Sequence, residues 1–184
     1  QQKTTGTPVE IFSGWPQDKN GHTTKNDFPE AVAVDSTNAV AVTGLAYDSN
    51  SGLIQNFRTI RYTSNGTEDW IYDWADGDAE NKEASGTDIV LDRSGNVYAT
   101  GYIQLDSVDY ATIRIPWDWD EDPDNLEKGT WDHSETDDRA SSIDLSYEVE
   151  GGVIKPYIYV TGKASGTYDN VGRSAIRTTR VATR

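Results

Sequence analysis

The chain has no cysteine, no methionine, two histidines and only three phenylalanines in 184 residues. Without cysteine there is no disulfide, no thiolate metal ligand and no thiol nucleophile, so the redox compartment is not written in the sequence. His22 and His133 lie far apart, and neither sits at a metal-ligand or triad spacing. Basic residues are scarce, with 16 Lys and Arg against 31 Asp and Glu, for a formal net charge of −15. That balance disfavours nucleic acid as a partner, because a phosphate backbone is repelled by it. No apolar run approaches the ~18 residues that a membrane-spanning helix needs. Glycines sit at strand turns rather than ahead of helical patterns, so no phosphate-binding loop is present.

What is abundant is turn and strand chemistry. Six Trp and ten Tyr accompany many Thr, Ser, Gly and Asp, a mixture that favours short strands over helices. The length suits one domain with a proper core, or one compact array. The sequence starts at Gln1-Gln2 rather than Met and reads as a processed product, which leads us to expect an extracellular or cell-surface location.

The stretch Asp88–Tyr102, DIVLDRSGNVYATGY, organises the chain. Ile89-Val90-Leu91 is an apolar run, Asp92–Asn96 is a tight turn with Gly95 free to take positive φ, and Val97–Tyr102 runs back. A first copy lies at Ala31–Gly44 and a third at Ser142–Gly162, the last with an insertion in its turn and Ser146 in place of the turn Asp. The Thr-Gly pairs at 43–44, 100–101 and 161–162 are spaced by 57 and 61 residues, a period that points to a repeat architecture. A third strand follows each: Phe57–Arg61, Tyr110–Arg114 and Arg173–Arg177, aligned on a shared Ile-Arg. Then Gly66-Thr67 leads to Trp70, and Gly129-Thr130 to Trp131, as a fourth strand. Trp15, Trp70 and Trp131 thus recur with the repeat and read as packing residues.

The motifs AVAVD…VTG, DIVLDRSGNVYATG and DYATIR with a following Gly…Trp strand resemble the bacterial β-propeller repeat family often called SBBP repeats. Its members carry a D…GNVYVTG…DYATIKY…G…W pattern. The resemblance covers nearly the whole chain from about Asp27, and it implies four-stranded antiparallel blades and no single activity. The expected fold is all-β, with units at about 27–74, 84–131 and 138–184 forming three propeller-type blades.

The two ends do not match. The third unit runs out at Arg184 near where its fourth strand is due, while Gly6–Phe12 parallels Gly66–Tyr72 as a spare fourth strand. Propellers usually have about four to eight blades, so three closing on themselves are not expected. The expectation is therefore that residues 1–16 act as an exchanged strand that completes the third blade of a neighbouring subunit. Val9, Ile11, Phe12 and Trp15 are its assembly residues, and Arg173, Ala175, Arg177 and Thr179 mark the acceptor edge. Arg173, Arg177 and Arg180 flank that edge, either steering an acidic neighbour or guarding exposed backbone. Such a contact is head-to-tail, and it closes into a ring or runs on as a fibre. The partner is thus a second copy of the chain, with no catalytic role expected.

Other chemistry is weaker. Asp118, Asp120, Asp122 and Asp124 alternate within WDWDEDPDN, as oxygen ligands do in a Ca²⁺ loop, but Pro123 and Gly129 stand where a glycine and a bidentate Glu are wanted. A solvated acidic insertion is the competing reading, and no other cofactor is expected. Asp73, Asp76, Asp78 and Glu80 form a second acidic patch. Asn65-Gly66-Thr67 is both a sequon-like triplet and ordinary hairpin chemistry. Trp117 and Trp119 fall outside the repeat and are the candidates for stacking on a glycan.

Overall fold

Asp35 and Asp92 close the same turn in two successive repeats. Asp35 Oδ1 accepts from the amides of Thr37 (2.8 Å) and Ala39 (2.9 Å), and Asp92 Oδ1 from those of Ser94 (2.8 Å) and Asn96 (2.9 Å). The carboxylate stands in for a backbone carbonyl, which is why Asp belongs at this position. The third turn residue is left-handed in both, Asn38 at φ 66° and Gly95 at φ 84°, a conformation open chiefly to Asn and Gly.

A computed structural model describes residues 27–47, 54–74, 83–131, 137–165 and 174–182. These residues are all-β, with a single 3-10 turn at Pro123–Asn125 and no α-helix. Sheet 1 holds β1 (Phe28–Val34), β2 (Val40–Tyr47), β3 (Gln55–Tyr62) and β4 (Glu68–Trp74) in that order. Sheet 2 holds β5 (Ala84–Leu91), β6 (Val97–Gln104), β7 (Val108–Ile115) and β8 (Glu127–Trp131). Sheet 3 holds β9 (Arg139–Glu150), β10 (Val153–Ser165) and β11 (Ser174–Ala182), with β10 in the middle. Every described pairing is antiparallel.

Each first strand carries one extra residue, at Glu30, Thr87 and Ser141, where its register with the second strand slips. Opposite each slip stands the glycine of a Thr-Gly pair. A Cβ on Gly44, Gly101 or Gly162 would lie 2.1 Å from Phe28 O, 1.9 Å from Ser85 O and 2.1 Å from Arg139 O, respectively. Only glycine admits that approach. The threonine beside it bonds the next strand, with Thr43 Oγ1 at 3.3 Å from Thr59 Oγ1 and Thr100 Oγ1 at 3.0 Å from Thr112 Oγ1. The recurring dipeptide therefore marks a β-bulge.

The sheets pack face to face in sequence. β5 lies across β1, β2 and β3, and β9 lies across β5, β6 and β7. Strand alternation divides sheet 2 between two cores. Val97, Ala99, Ile103 and Ile113 join Ala41, Phe57 and Trp70 of sheet 1, while Tyr98 and Tyr110 join Ala140, Ile143, Ile158 and Val160 of sheet 3.

Register corrects two details of the sequence reading and gives a third its form. Trp131 sits opposite Tyr110 as Trp74 sits opposite Phe57, so Trp131 is the counterpart of Trp74 and not of Trp70. Thr178 pairs with Thr161 as Thr112 pairs with Thr100, which moves the third strand of unit 3 three residues along, aligning Ile176–Arg180 with Tyr110–Arg114. The insertion in the third turn is a longer hairpin. Ser146 offers no turn carboxylate, and pairing continues from Leu145↔Ile158 to Glu150↔Val153, reversing at Gly151 (φ 60°) and Gly152 (φ 81°).

Gly101→Ala should lower stability by at least about 1–3 kcal/mol, since the new methyl meets backbone that must move. Gly129→Ala, with nothing within 4 Å of its added Cβ, should leave the thermal midpoint unchanged or slightly raised. Thermal denaturation of the pair checks this.

Candidate functional site

The two seams between sheets differ at their outer ends. At the first, the β7–β8 connection folds back over sheet 1. Trp119 meets Trp70 and Tyr72 edge-on, with ring centroids at 5.6 and 5.4 Å. Its indole nitrogen donates to Asp122 O at 2.8 Å, and Leu126 enters the same core. The Lys128 ammonium lies 5.9 Å from the ring centroids of both Tyr72 and Trp74. That seam is filled.

At the second seam a cleft of about 340 Å³ remains, bounded by Tyr98, Tyr110, Arg114, Glu127 and Trp131 on sheet 2 and by Ile158 and Val160 on β10. Tyr110 and Trp131 form its aromatic wall, edge-to-face at 5.4 Å. Arg114 Nη1 donates to Glu127 Oε1 at 2.9 Å, while Arg114 Nε is buried with no hydrogen-bond acceptor among the described residues. The Tyr98 hydroxyl donates to Asp92 Oδ2 at 3.2 Å, so the turn carboxylate also anchors this wall. Burial, helped by the charge of Asp92, pushes the Tyr98 phenol up to about 12 from the ordinary 10.0, against the opposing pull of Arg114. The counterpart of Arg114 in sheet 1 is Arg61, which faces Trp70 across the ladder and pairs with Asp69 and, at 3.9 Å, with Asp35. Sheet 2 has Glu127 where sheet 1 has Trp70, which is one reason its outer seam stays open.

The acceptor edge lies next to this cleft. Ala175, Arg177 and Thr179 are on β11, paired with Ala164, Gly162 and Val160, and β11 is the outermost strand of sheet 3 among the described residues. Arg173 lies outside the described residues, as do Val9, Ile11, Phe12, Trp15, His22 and His133.

The acidic loop bonds to itself. Asp120 Oδ1 accepts from Asn125 Nδ2 (3.1 Å) and the Asp122 amide (3.3 Å), and these hold its carboxyl below the usual range. Asp122 Oδ1 accepts from the Asp124 amide at 3.0 Å. Among the described residues no three acidic or histidine side chains, Asp118, Asp120, Asp122 and Asp124 included, gather so as to hold a metal ion. In the second acidic patch Asp73 forms a two-bond pair with Arg58 at 2.6 and 2.7 Å, and Asp76, Asp78 and Glu80 lie outside the described residues. Asn65 Oδ1 accepts from Thr63 Oγ1 and the Thr67 amide, a hairpin role. Of the two tryptophans outside the repeat, Trp119 is spent on packing, while Trp117 is exposed. The Arg114–Glu127 pair escaped sequence reasoning because nothing local announces it; only the β7–β8 register puts the two opposite each other.

Trp119→Ala should cost about 2–3 kcal/mol, below the value for a fully buried indole because the ring is half-buried, whereas Trp117→Ala should cost little; chemical denaturation distinguishes them. The raised Tyr98 value adds a pH dependence. Below about pH 10 the phenol is neutral in folded and unfolded chains alike and its contribution is complete. As pH rises through about 12 that contribution is lost, because the unfolded chain ionises first. Tyr98→Phe should flatten part of the fall in thermal midpoint between pH 10 and 12.

No protein-family model matches this chain, and no curated protein matches it.

Proposed function

We propose that the chain is an extracellular structural subunit built of propeller-type blades, which assembles head-to-tail by β-strand exchange into a filament. The observation that carries this reading is the uneven strand count. Sheets 1 and 2 end in a fourth strand, and sheet 3 has three among the described residues, with β11 outermost. A strand edge of this kind is a template for another strand. The donor is Gly6–Phe12, whose sequence parallels Gly66–Tyr72. The cleft beside β8 and β10 offers apolar ground next to the incoming strand. The shared bulge and Thr-Gly pair in all three sheets, and the shared Asp turn in the first two, support reading them as repeats of one SBBP-like blade. Linking one end of a molecule to the opposite end of the next generates a fibre, unless the rotation closes it. The role is structural, with no catalytic step.

A second reading, a closed dimer of six blades that binds glycan or protein, is favoured by one feature. The cleft pairs an aromatic wall with the polar Arg114 and Glu127, the combination that sugar rings accept.

Sedimentation and negative-stain microscopy of the intact protein separate these readings. Filaments are expected, with Ile11→Asp combined with Phe12→Asp reducing assembly at least about tenfold while circular dichroism stays unchanged. A discrete dimer favours the second reading, and uniform monomers defeat both.

A further inference from the structure

Strand β1 exposes two valines at positions where the repeat elsewhere buries its residues. Counting back from the turn, Val32 corresponds to Ile89 and Ile143, and Val34 to Leu91 and Leu145. Ile89 and Ile143 are each 4% exposed, whereas Val32 and Val34 are 56% and 59% exposed. Leu91 and Leu145 are half-buried against their cores. What buries these residues is the sheet before them, since β5 lies across β1–β3 and β9 across β5–β7. On the same face of sheet 1, Val40, Val42, Ile60 and Tyr62 are buried. The open ground is thus β1 itself, the strand the repeat uses for this contact.

The other end of the array shows the reverse. On their outward faces the first strands of sheets 1 and 2 turn Ala31 and Ala33, and Asp88 and Val90, towards the following sheet. The corresponding residues of sheet 3, Ser142 and Asp144, are exposed. A carboxylate there is compatible with a seam. Asp88 Oδ2 accepts from Ser142 Oγ and from the Ile143 amide of the next first strand, each at 2.8 Å. Meanwhile its Oδ1 accepts from Ile89 N at 2.9 Å, as Asp144 Oδ1 does from Leu145 N at 2.8 Å.

We infer that β1 of one copy packs across β9–β11 of a second copy, seating Val32 and Val34 on the outward face of sheet 3 and repeating between molecules the seam found within one. The partner is a second copy because the cover this repeat builds for a first strand, among the described residues, is another such sheet, and on sheet 3 the outward Ser142 and Asp144 of β9 are exposed. Repeat arrays bury each unit against its neighbour, and an apolar head meeting a solvated tail is a heterologous contact. The inference rests on the assembly reading for its partner and not on strand exchange, which uses a different edge.

The chain has no cysteine, so single cysteines report the contact directly. At the first seam Ala33 and Leu91 pack against the same core, and their equivalents across the inferred seam are Asp144 and Val34, which within one chain also border the cleft shared by the three first strands. Full-length Val34→Cys and Asp144→Cys proteins, mixed and mildly oxidised, should form the mixed disulfide at least about tenfold faster than Val34→Cys with Ser64→Cys. Mixing two chains excludes an intramolecular bond, and circular dichroism verifies the fold of each variant. Val32→Asp with Val34→Asp should reduce assembly of the otherwise intact chain. Assembly that persists in that variant, together with mixed disulfide no faster than the control, overturns the seam and leaves strand exchange standing. Pairing that survives Ile11→Asp with Phe12→Asp upholds the seam and removes exchange as its cause. Monomers without pairing overturn both.

Discussion

The extra residue in each first strand sets the architecture. Side chains alternate along a strand, so one inserted residue exchanges the two faces beyond it. In β5, Ala84 and Gly86 face sheet 1, and after the slip at Thr87 so do Ile89 and Leu91. The even-numbered pair and the odd-numbered pair share a face only because Thr87 resets the alternation. Thr87 itself is held from both sides, donating to Thr100 O at 3.2 Å and to Ala140 O of sheet 3 at 2.9 Å. β9 repeats the arrangement, with Ala140 and Ile143 in one core on either side of Ser141. The glycine of each Thr-Gly pair makes the bulge possible, since its partner backbone lies where a Cβ would be. Sheet-to-sheet packing therefore depends on a glycine in the strand next door.

Given that geometry, each sheet is incomplete alone. A strand that keeps one face turned to the preceding sheet throughout its length needs that sheet, and the sheet needs a follower. Arrays of this kind gain stability from neighbour interfaces, and their terminal faces must be solvated or covered. The two ends of the described array differ in this respect. Sheet 3 presents the polar, exposed Ser142 and Asp144, whereas β1 presents exposed valines. The β9–β10 hairpin also projects beyond the sheet and exposes Val149, Val153 and Ile154 near its tip.

The seams show how one scaffold diverges through its connections. Where the β7–β8 connection of unit 2 is long, it returns Trp119 and Leu126 to the first seam, and Lys128 caps the aromatic group. The corresponding connection in sheet 1 is the short turn at Thr63–Thr67. At the second seam the outer space is left as a cleft, with the Arg114–Glu127 pair and the Tyr98–Asp92 bond lining it. The buried turn carboxylate thus serves both the hairpin and the cleft wall. Loss of that turn in unit 3, where Ser146 stands in place of Asp, accompanies the change from a tight turn to a long hairpin.

Features set by a few adjacent residues could be read from the chain alone: the all-β class, the repeat period, the Asp turn with its left-handed third residue, and the recurrence of Thr-Gly. The turn depends on hydrogen bonds and steric limits among adjacent residues, and the others show as composition or recurrence along the chain. Register between the third and fourth strands could not be read this way. Distance from Gly-Thr matches Trp131 with Trp70, and identity matches Ile176-Arg177 with Ile60-Arg61, whereas the ladders pair Trp131 as Trp74 is paired and align Arg180 with Arg114. A ladder slipped by a few residues differs little in local propensity, so cross-strand packing must choose. The inward turn of Trp119 and the meeting of Arg114 with Glu127 are of the same kind, decided by what lies across the seam and not by what lies beside them in the chain.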